Sequence, residues 1–313
     1  MNKEKINKAC PAVSVVMCVY NGERFLKDAI ISILSQTFKD FEFIIWDDGS
    51  TDRSKAIIES IEDDRIRYFH HENTGLGKAL NMACTEARGK YIARMDDDDV
   101  SLPDRLQTEY DFLENNPDYV LVSTPAYYIN EVGEQIGQTF LYTKDYLIKN
   151  KLLVSTCIDH PSVMFRADAY RKTQGYPNAR RAQDRLFWSK LAQHGRFINL
   201  VNPLIKYRMI TDSLSHKRDE NSIYYRLMML LGTKIVMDAE FHNEDLRLYN
   251  DLYAQIPLLD SKKDSVYTPH VEERLHKIVS KICGDMMARR IVVAIKNIYG
   301  YYEIRKIRKK LKV

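Results

Sequence analysis

Apolar residues follow two alternating rhythms over the first hundred positions. Short β-branched runs bounded by Pro, Gly, Asn or Asp alternate with stretches in which apolar residues recur every three or four positions. Val13–Val19 (VSVVMCV) lies between Pro11 and Asn21-Gly22 and reads as a parallel strand buried on both faces. A helix follows from about Arg24 to Gln36, with Phe25, Ala29, Ile30, Ile33 and Leu34 on one stripe. Phe41–Trp46 is the second strand, stopped by Asp47-Asp48-Gly49-Ser50. Thr51 or Asp52 then stands where a cap would, before a helix carrying Ala56, Ile57 and Ile61. A strand over Ile66–His70, a helix over Gly77–Ala87 and a strand over Tyr91–Met95 complete a β-α-β-α-β-α-β series. That order predicts an α/β fold with a mostly parallel central sheet, right-handed crossovers and flanking helices.

After Ser101-Leu102-Pro103 the rhythm loosens. It predicts a helix over Asp104–Asn115, strands over Tyr119–Tyr128 and Ser162–Arg166, a helix over Arg185–Gln193, and a short strand or turn around Phe197–Leu200. Past Ser215 the pattern is mainly helical, broken around Pro257 and Lys262–Pro269. The expected division is a first domain over 1–217 and a helical C-terminal region over 218–313.

Composition narrows the class. The chain has 313 residues, 45% of them apolar, which supports a sizeable core and excludes wholesale disorder. Its net charge of +4 sits at one end: the last ten residues hold six bases and no acid, leaving forty-one bases against forty-three acids in the rest. No basic face extends over the fold, so nucleic acid is not an expected partner. The five cysteines are odd in number, scattered and without metal-ligand spacing, which fits a reducing cytosol. No apolar run approaches the roughly 20 residues that span a bilayer. Lys3, Lys5 and Lys8 before Ala12–Tyr20 imitate a signal peptide, but Pro11 and the missing small-residue cleavage site favour a buried strand.

In open parallel sheets, ligands collect beyond the carboxyl ends of strands. Here those ends carry Tyr20-Asn21, Asp47-Asp48 and Asp96-Asp97-Asp98-Asp99. Four successive carboxylates raise one another's pKa, so such a run is either a solvated acidic turn or a cation site. Its place after a buried strand, flanked by Arg94 and Arg105, favours Mg²⁺ or Mn²⁺, which take oxygen ligands. Neither GxGxxG nor GxxxxGK[ST] occurs, and Gly75-Leu76-Gly77-Lys78 is too short for a phosphate loop.

Four segments, in order, resemble a family 2 glycosyltransferase of the GT-A, Rossmann-like fold, the inverting, nucleotide-sugar-dependent type found in bacterial surface-polysaccharide assembly. They are VSVVMCVYNGERFLKDAIISILSQTFKDFEFIIWDDGSTD, NTGLGKALNMACTEARGKYIARMDDDDVSLPDRL, HPSVMFR and QDRLFWSKLAQHG, running from about 13 to 215. The resemblance implies that Tyr20 contacts the nucleotide and that Asp48, with Asp47 beside it, reads uracil. It sets Lys78 near the nucleotide and Arg94 near the donor. Asp96-Asp97-Asp98 overlays the DxD motif, with Asp96 approaching ribose or sugar, Asp97 within the same donor site, and Asp98 ligating Mn²⁺ or Mg²⁺, Asp96 with it. Asp184 aligns with the catalytic base, and its alternative role is a helix cap. His160 and Gln183 fall on the acceptor side.

Two departures stand out. The usual Glu-Asp pair is Gln183-Asp184 here, and the histidine that often follows a Tyr-Arg pair near the metal is missing after Tyr207-Arg208, where Met209-Ile210 stand. His216 is an offset substitute. The implied activity is transfer from a UDP-sugar to a hydroxyl of a glycan or lipid-linked oligosaccharide. A sugar nucleotidyltransferase and a catalytically silent binder of sugar nucleotides or glycans are the alternatives. Ile291–Val313 has an apolar stripe among Arg305, Lys306, Arg308, Lys309, Lys310 and Lys312. Near an anionic membrane each base contributes about 1 kcal/mol, so the expected location is cytoplasmic and peripheral, on the inner face of the cytoplasmic membrane.

Overall fold

The computed structural model describes residues 10–152, 156–178 and 183–210. They lie in one of two compact units, comprising 1–152, 156–178 and 183–213. The expected boundary near 218, the helical region beyond it, His216 and the Ile291–Val313 tail fall outside the described residues.

The first half follows the predicted rhythm. It runs β1 (Val13–Val19), α1 (Leu26–Leu34), β2 (Phe41–Asp47), α2 (Ser54–Glu59), β3 (Ile66–His70), α3 (Leu76–Thr85) and β4 (Tyr91–Met95). Then come β5 (Val100–Ser101), α4 (Arg105–Asn115), β6 (Tyr119–Ser123), β7 (Ala126–Ile129), β8 (Gln135–Gln138) and α5 (Asp145–Leu152). The described chain closes with β9 (Met164–Arg166), α6 (Ala167–Lys172), α7 (Gln183–Leu191), β10 (Arg196–Asn199) and β11 (Ile205–Arg208).

A seven-stranded sheet has the order β10-β6-β9-β4-β1-β2-β3, and a four-stranded sheet the order β5-β11-β7-β8. All pairs in the larger sheet are parallel except those of β9, which lies antiparallel between β4 and β6. Alternation along β1 sorts the core into two layers. Val13, Val15, Met17 and Val19 pack with α1 and α4, whereas Val16 and Cys18 pack with α3 and α7. Two helix layers therefore cover both faces, which is why β1 and β2 are buried from end to end.

Four expectations need correction. Tyr119–Tyr128 is two strands in different sheets, because Pro125 has no N–H and forces the preceding residue into an extended turn. Ser162 anchors that break, its Oγ accepting the Thr124 N–H at 3.2 Å and donating to the Thr124 carbonyl at 2.8 Å. The strand expected over Ser162–Arg166 begins at Met164, since Pro161 opens a 3-10 turn over His160–Ser162. Neither Thr51 nor Asp52 caps α2; Asp52 instead accepts the N–H of Ser54 and of Glu23 in a turn before the helix. Finally, α7 begins at Gln183, so Asp184 lies inside its first turn rather than before it.

One buried ion pair holds α4 to the sheet. Arg105, fully buried, donates from Nε to Glu109 Oε1 at 3.1 Å and from Nη2 to the Arg94 carbonyl at 2.7 Å and the Val163 carbonyl at 3.3 Å. Burial pushes the Glu109 carboxyl up to about 7, against the pull of Arg105. Removing one member strands the other charge in the core, so Glu109→Ala is expected to cost about 3–5 kcal/mol in urea unfolding. Glu59→Ala, which breaks an exposed pair with Lys55, should cost under about 1 kcal/mol.

Candidate active site at the strand ends

Register brings the polar strand ends together. Val19 pairs with Asp47, Asp47 with His70, and Met17 with Met95, so four neighbouring strands finish at one edge. The loops after β1 and β2 are sewn to each other. Asn21 (φ 55°) donates its N–H to Ser50 Oγ at 3.0 Å, and its Oδ1 accepts the Thr51 N–H at 2.8 Å. Gly22 N–H reaches Ser54 Oγ at 3.0 Å. Tyr20 stands out from this surface, 55% exposed.

Asp47 and Asp48 point to different partners, as successive strand residues must. Asp47 is fully buried and accepts from the Ser50 N–H (2.8 Å) and the Tyr68 hydroxyl (3.0 Å), with His70 Nδ1 at 3.0 Å. Burial raises its pKa and these bonds reverse the effect, leaving it below the usual range. Asp48 accepts the Thr74 N–H and hydroxyl on Oδ1 and the Gly75 N–H on Oδ2, each at 2.9 Å. It thereby shapes the turn that starts α3, where Gly75 has φ 85° and Lys78 is exposed one turn on.

The loop after β4 gathers the acids. Oxygens of Asp96, Asp98 and Asp99 lie within 4.8 Å of one another. Asp97 turns the other way and packs on Gly22, where any Cβ would collide with its carboxylate. Arg94, 2% exposed, is ion-paired with Asp96. Burial first, and neighbouring aspartates second, push Asp97 up to about 8 and Asp98 up to about 7. Asp99 rises well above the usual range for the same reasons. Asp99 Oδ2 is buried and makes no hydrogen bond. Three carboxylates crowded together, with one buried oxygen unpaired, fit an oxygen-seeking cation such as Mg²⁺ or Mn²⁺.

The field of Arg94 also reaches Asp184, His160 and Tyr176. Burial raises Asp184, while the Arg185 N–H, Arg185 and Arg94 pull it down. Burial and then Arg94 hold His160 well below the ordinary imidazole range, so it is neutral at pH 7. His160 Nε2 shares a hydrogen bond of 3.1 Å with the Tyr176 hydroxyl, and its ring meets Trp188 edge-on at 5.6 Å. Gln183 lies against the start of α3, where a Cβ on Gly77 would sit 3.7 Å from Gln183 Cβ.

Three residues here escaped sequence reasoning. Tyr176 is clamped by Asn81, which accepts its N–H and donates to its carbonyl, both at 2.7 Å. Arg208 joins the acidic loop to β11: its N–H donates to Asp99 Oδ1 at 2.7 Å and its Nε to the Asp98 carbonyl at 2.9 Å. The Gly175-Tyr176-Pro177 turn was the one local signal for Tyr176, and a buried arginine ending a strand the one for Arg208. Asn81 carried none.

Residues 14–173 match the family model described as Glycosyl transferase family 2. The chain belongs to that family. EpsE of Bacillus subtilis is 36% identical over 221 residues, covering 68% of this chain and 78% of EpsE. The O-antigen biosynthesis glycosyltransferase WbnJ of Escherichia coli is 35% identical over 203 residues, covering 63% of this chain and 79% of WbnJ. Among solved structures, S. aureus TarS in complex with UDP-GlcNAc superposes with a TM-score of 0.63 at 19% identity, over 86% of this chain and 81% of that one. That likeness is one of fold, and the fold is GT-A. In the glycosyltransferase the field of buried Arg94 thus reaches both the acidic loop and Asp184.

Gly175 tests the geometry of this clamp. Its φ is 78°, and a Cβ there would strike Asn81 Oδ1 and the Tyr170 hydroxyl. Gly175→Ala is expected to lower unfolding free energy by about 2 kcal/mol or more, from backbone strain and displaced partners. Unchanged urea stability would mean that Tyr176 is not held this way.

Proposed function

We propose that the enzyme transfers a sugar from a UDP-sugar to a hydroxyl of a surface glycan or lipid-linked oligosaccharide, with inversion, in one displacement. The observation that carries this reading is the convergence of a carboxylate cluster and Asp184 on Arg94, at the edge where four strands end. A surface-glycan acceptor is supported by the name of WbnJ.

Tyr20 and Asp48 would bind the nucleoside. Asp48 spends three of roughly four acceptor directions on Thr74 and Gly75, and keeps one for a base N–H. Lys78 would lie on the nucleotide side. Mn²⁺ or Mg²⁺, held by Asp98 and Asp96, would supply positive charge beside the leaving diphosphate. Arg94 orients Asp96 and sets the field of the donor site, and Asp97 braces the loop against Gly22. Asp184 takes the proton of the acceptor hydroxyl as that oxygen attacks the anomeric carbon opposite the leaving group. Burial makes it a stronger base than an exposed aspartate. His160 and Gln183 would line the acceptor side, His160 as a neutral ring held by Tyr176. The basic Ile291–Val313 tail would keep the enzyme on the cytoplasmic face of an anionic membrane, beside a lipid-linked acceptor.

Asp184→Asn is expected to reduce turnover by about 10²–10⁴-fold while leaving UDP affinity within twofold. Because the pKa of Asp184 is raised, the acid limb of kcat/KM should fall above the ordinary carboxylate value of about 3.9. Turnover that survives the substitution would remove Asp184 from the mechanism.

Calorimetry of UDP against GDP, CDP and ADP, with and without Mn²⁺, tests the donor class without an acceptor. Protons compete with the cation for Asp98 and its neighbours, whose pKa values are raised toward 7 and 8. The Mn²⁺-dependent gain in UDP affinity should therefore be full at pH 8.5 and shrink at pH 6. A gain independent of pH would detach the acids from the cation.

A further inference from the structure

Arg208 ends β11 with its side chain buried, yet among the described residues it forms no side-chain ion pair with a carboxylate. Its contacts go elsewhere. Nε donates to the Asp98 carbonyl at 2.9 Å, and Nη1 to the carbonyls of Asn130 (3.2 Å) and Glu131 (3.3 Å). The guanidinium lies 4.3 Å from the centre of the Phe25 ring, just before α1. Its own N–H binds Asp99 Oδ1 at 2.7 Å. One residue thus joins the acidic loop of the large sheet, the β7–β8 turn of the small sheet and the entry to α1. Sequence separations of 109 and 110 residues to Asp99 and Asp98 exclude any local origin for these bonds.

We infer that Arg208 is a positioning residue that presets the Asp98–Asp99 loop for the cation. It does so from the strand after which the family's metal histidine is missing, as Met209-Ile210 stand there. Two features of the bonding favour this over general packing. The side chain grips the backbone of Asp98, while the main chain grips the side chain of Asp99, so both the path of the loop and one carboxylate are fixed. Only a planar fork can serve the Asp98, Asn130 and Glu131 carbonyls together; an ammonium carries the same charge without that geometry. The inference rests on the cation-assisted reading of the site given above.

The test compares the wild-type chain with Arg208→Lys and Arg24→Ala, by calorimetry of UDP with and without Mn²⁺ and by hydrogen exchange without metal. Arg24 pairs with Glu131 at the same turn but on the exposed side, so it controls for loosening of the turn itself. Arg208→Lys keeps the charge and the backbone bond to Asp99. It is expected to cut the Mn²⁺-dependent gain in UDP affinity about 10–100-fold, the usual effect of disturbing the partners behind metal ligands. UDP affinity without metal should stay within twofold, and exchange should quicken at 96–99 and 130–131. Arg24→Ala should retain the full gain. A wild-type gain that Arg208→Lys preserves overturns the role of Arg208 alone. Loss of metal-free UDP binding in Arg208→Lys also overturns it, because the effect is then general. A wild type with no gain from Mn²⁺ overturns the cation reading, and the role of Arg208 with it.

Discussion

A guanidinium taken almost wholly out of water keeps its charge and is costly to bury unless anions or carbonyls lie against it, and Arg94 is in that position. It projects from β4, ion-paired with Asp96 and acting also on Asp184. Its Nε makes no hydrogen bond. Arg94 offsets the loss of hydration at Asp96 and joins Arg185 in doing so at Asp184. With it, the balance is still negative, since Asp97, Asp98 and Asp99 all remain raised despite its pull. Arg94 and Arg208 both pull on this loop and still leave its carboxylates raised, a surplus of negative charge that fits a cation.

The loops around this imbalance are held by hydrogen bonds rather than by apolar contact. Asn21, Ser50, Ser54 and Asp52 link the first two strand ends, Asp48 fixes the turn into α3, and Asn81 fixes Tyr176. This division follows from where apolar residues stop. The two helix layers bury the strands as far as Val19, Asp47 and Met95, and beyond those positions the backbone must find polar partners of its own. A site needing both rigidity and charged side chains is thereby built where the core ends.

The part of this legible in the sequence was the part that is periodic. Alternating β-branched runs and helical stripes fixed the first four strands nearly to the residue, because β1, β2 and β4 are buried from end to end and tolerate few alternatives. The strand ends followed from them, and with them the positions of Asp48 and Asp96–Asp99. Other features depend on pairings across long separations. β9 enters the sheet antiparallel from 70 residues beyond β4, where it breaks no local rule. Asp47 and Asp48 are indistinguishable as letters, and only the register that turns Asp47 toward Tyr68 and His70 separates it from Asp48, which holds the turn into α3. Tyr176, Asn81 and Arg208 act through bonds spanning 95 to 110 residues, whose distant partners a single sequence does not identify.

Burial meets different surroundings at the acidic loop and at Asp184. At the acidic loop it raises several carboxylates that also repel one another, so the least costly state at neutral pH is shared protons or a bound cation. At Asp184 it acts on a carboxylate whose first-ranked opposing influences are the N–H and charge of Arg185 and the charge of Arg94. All four shifted acids move the same way, but the crowded group meets burial together with mutual repulsion, whereas Asp184 meets it beside Arg185 and Arg94.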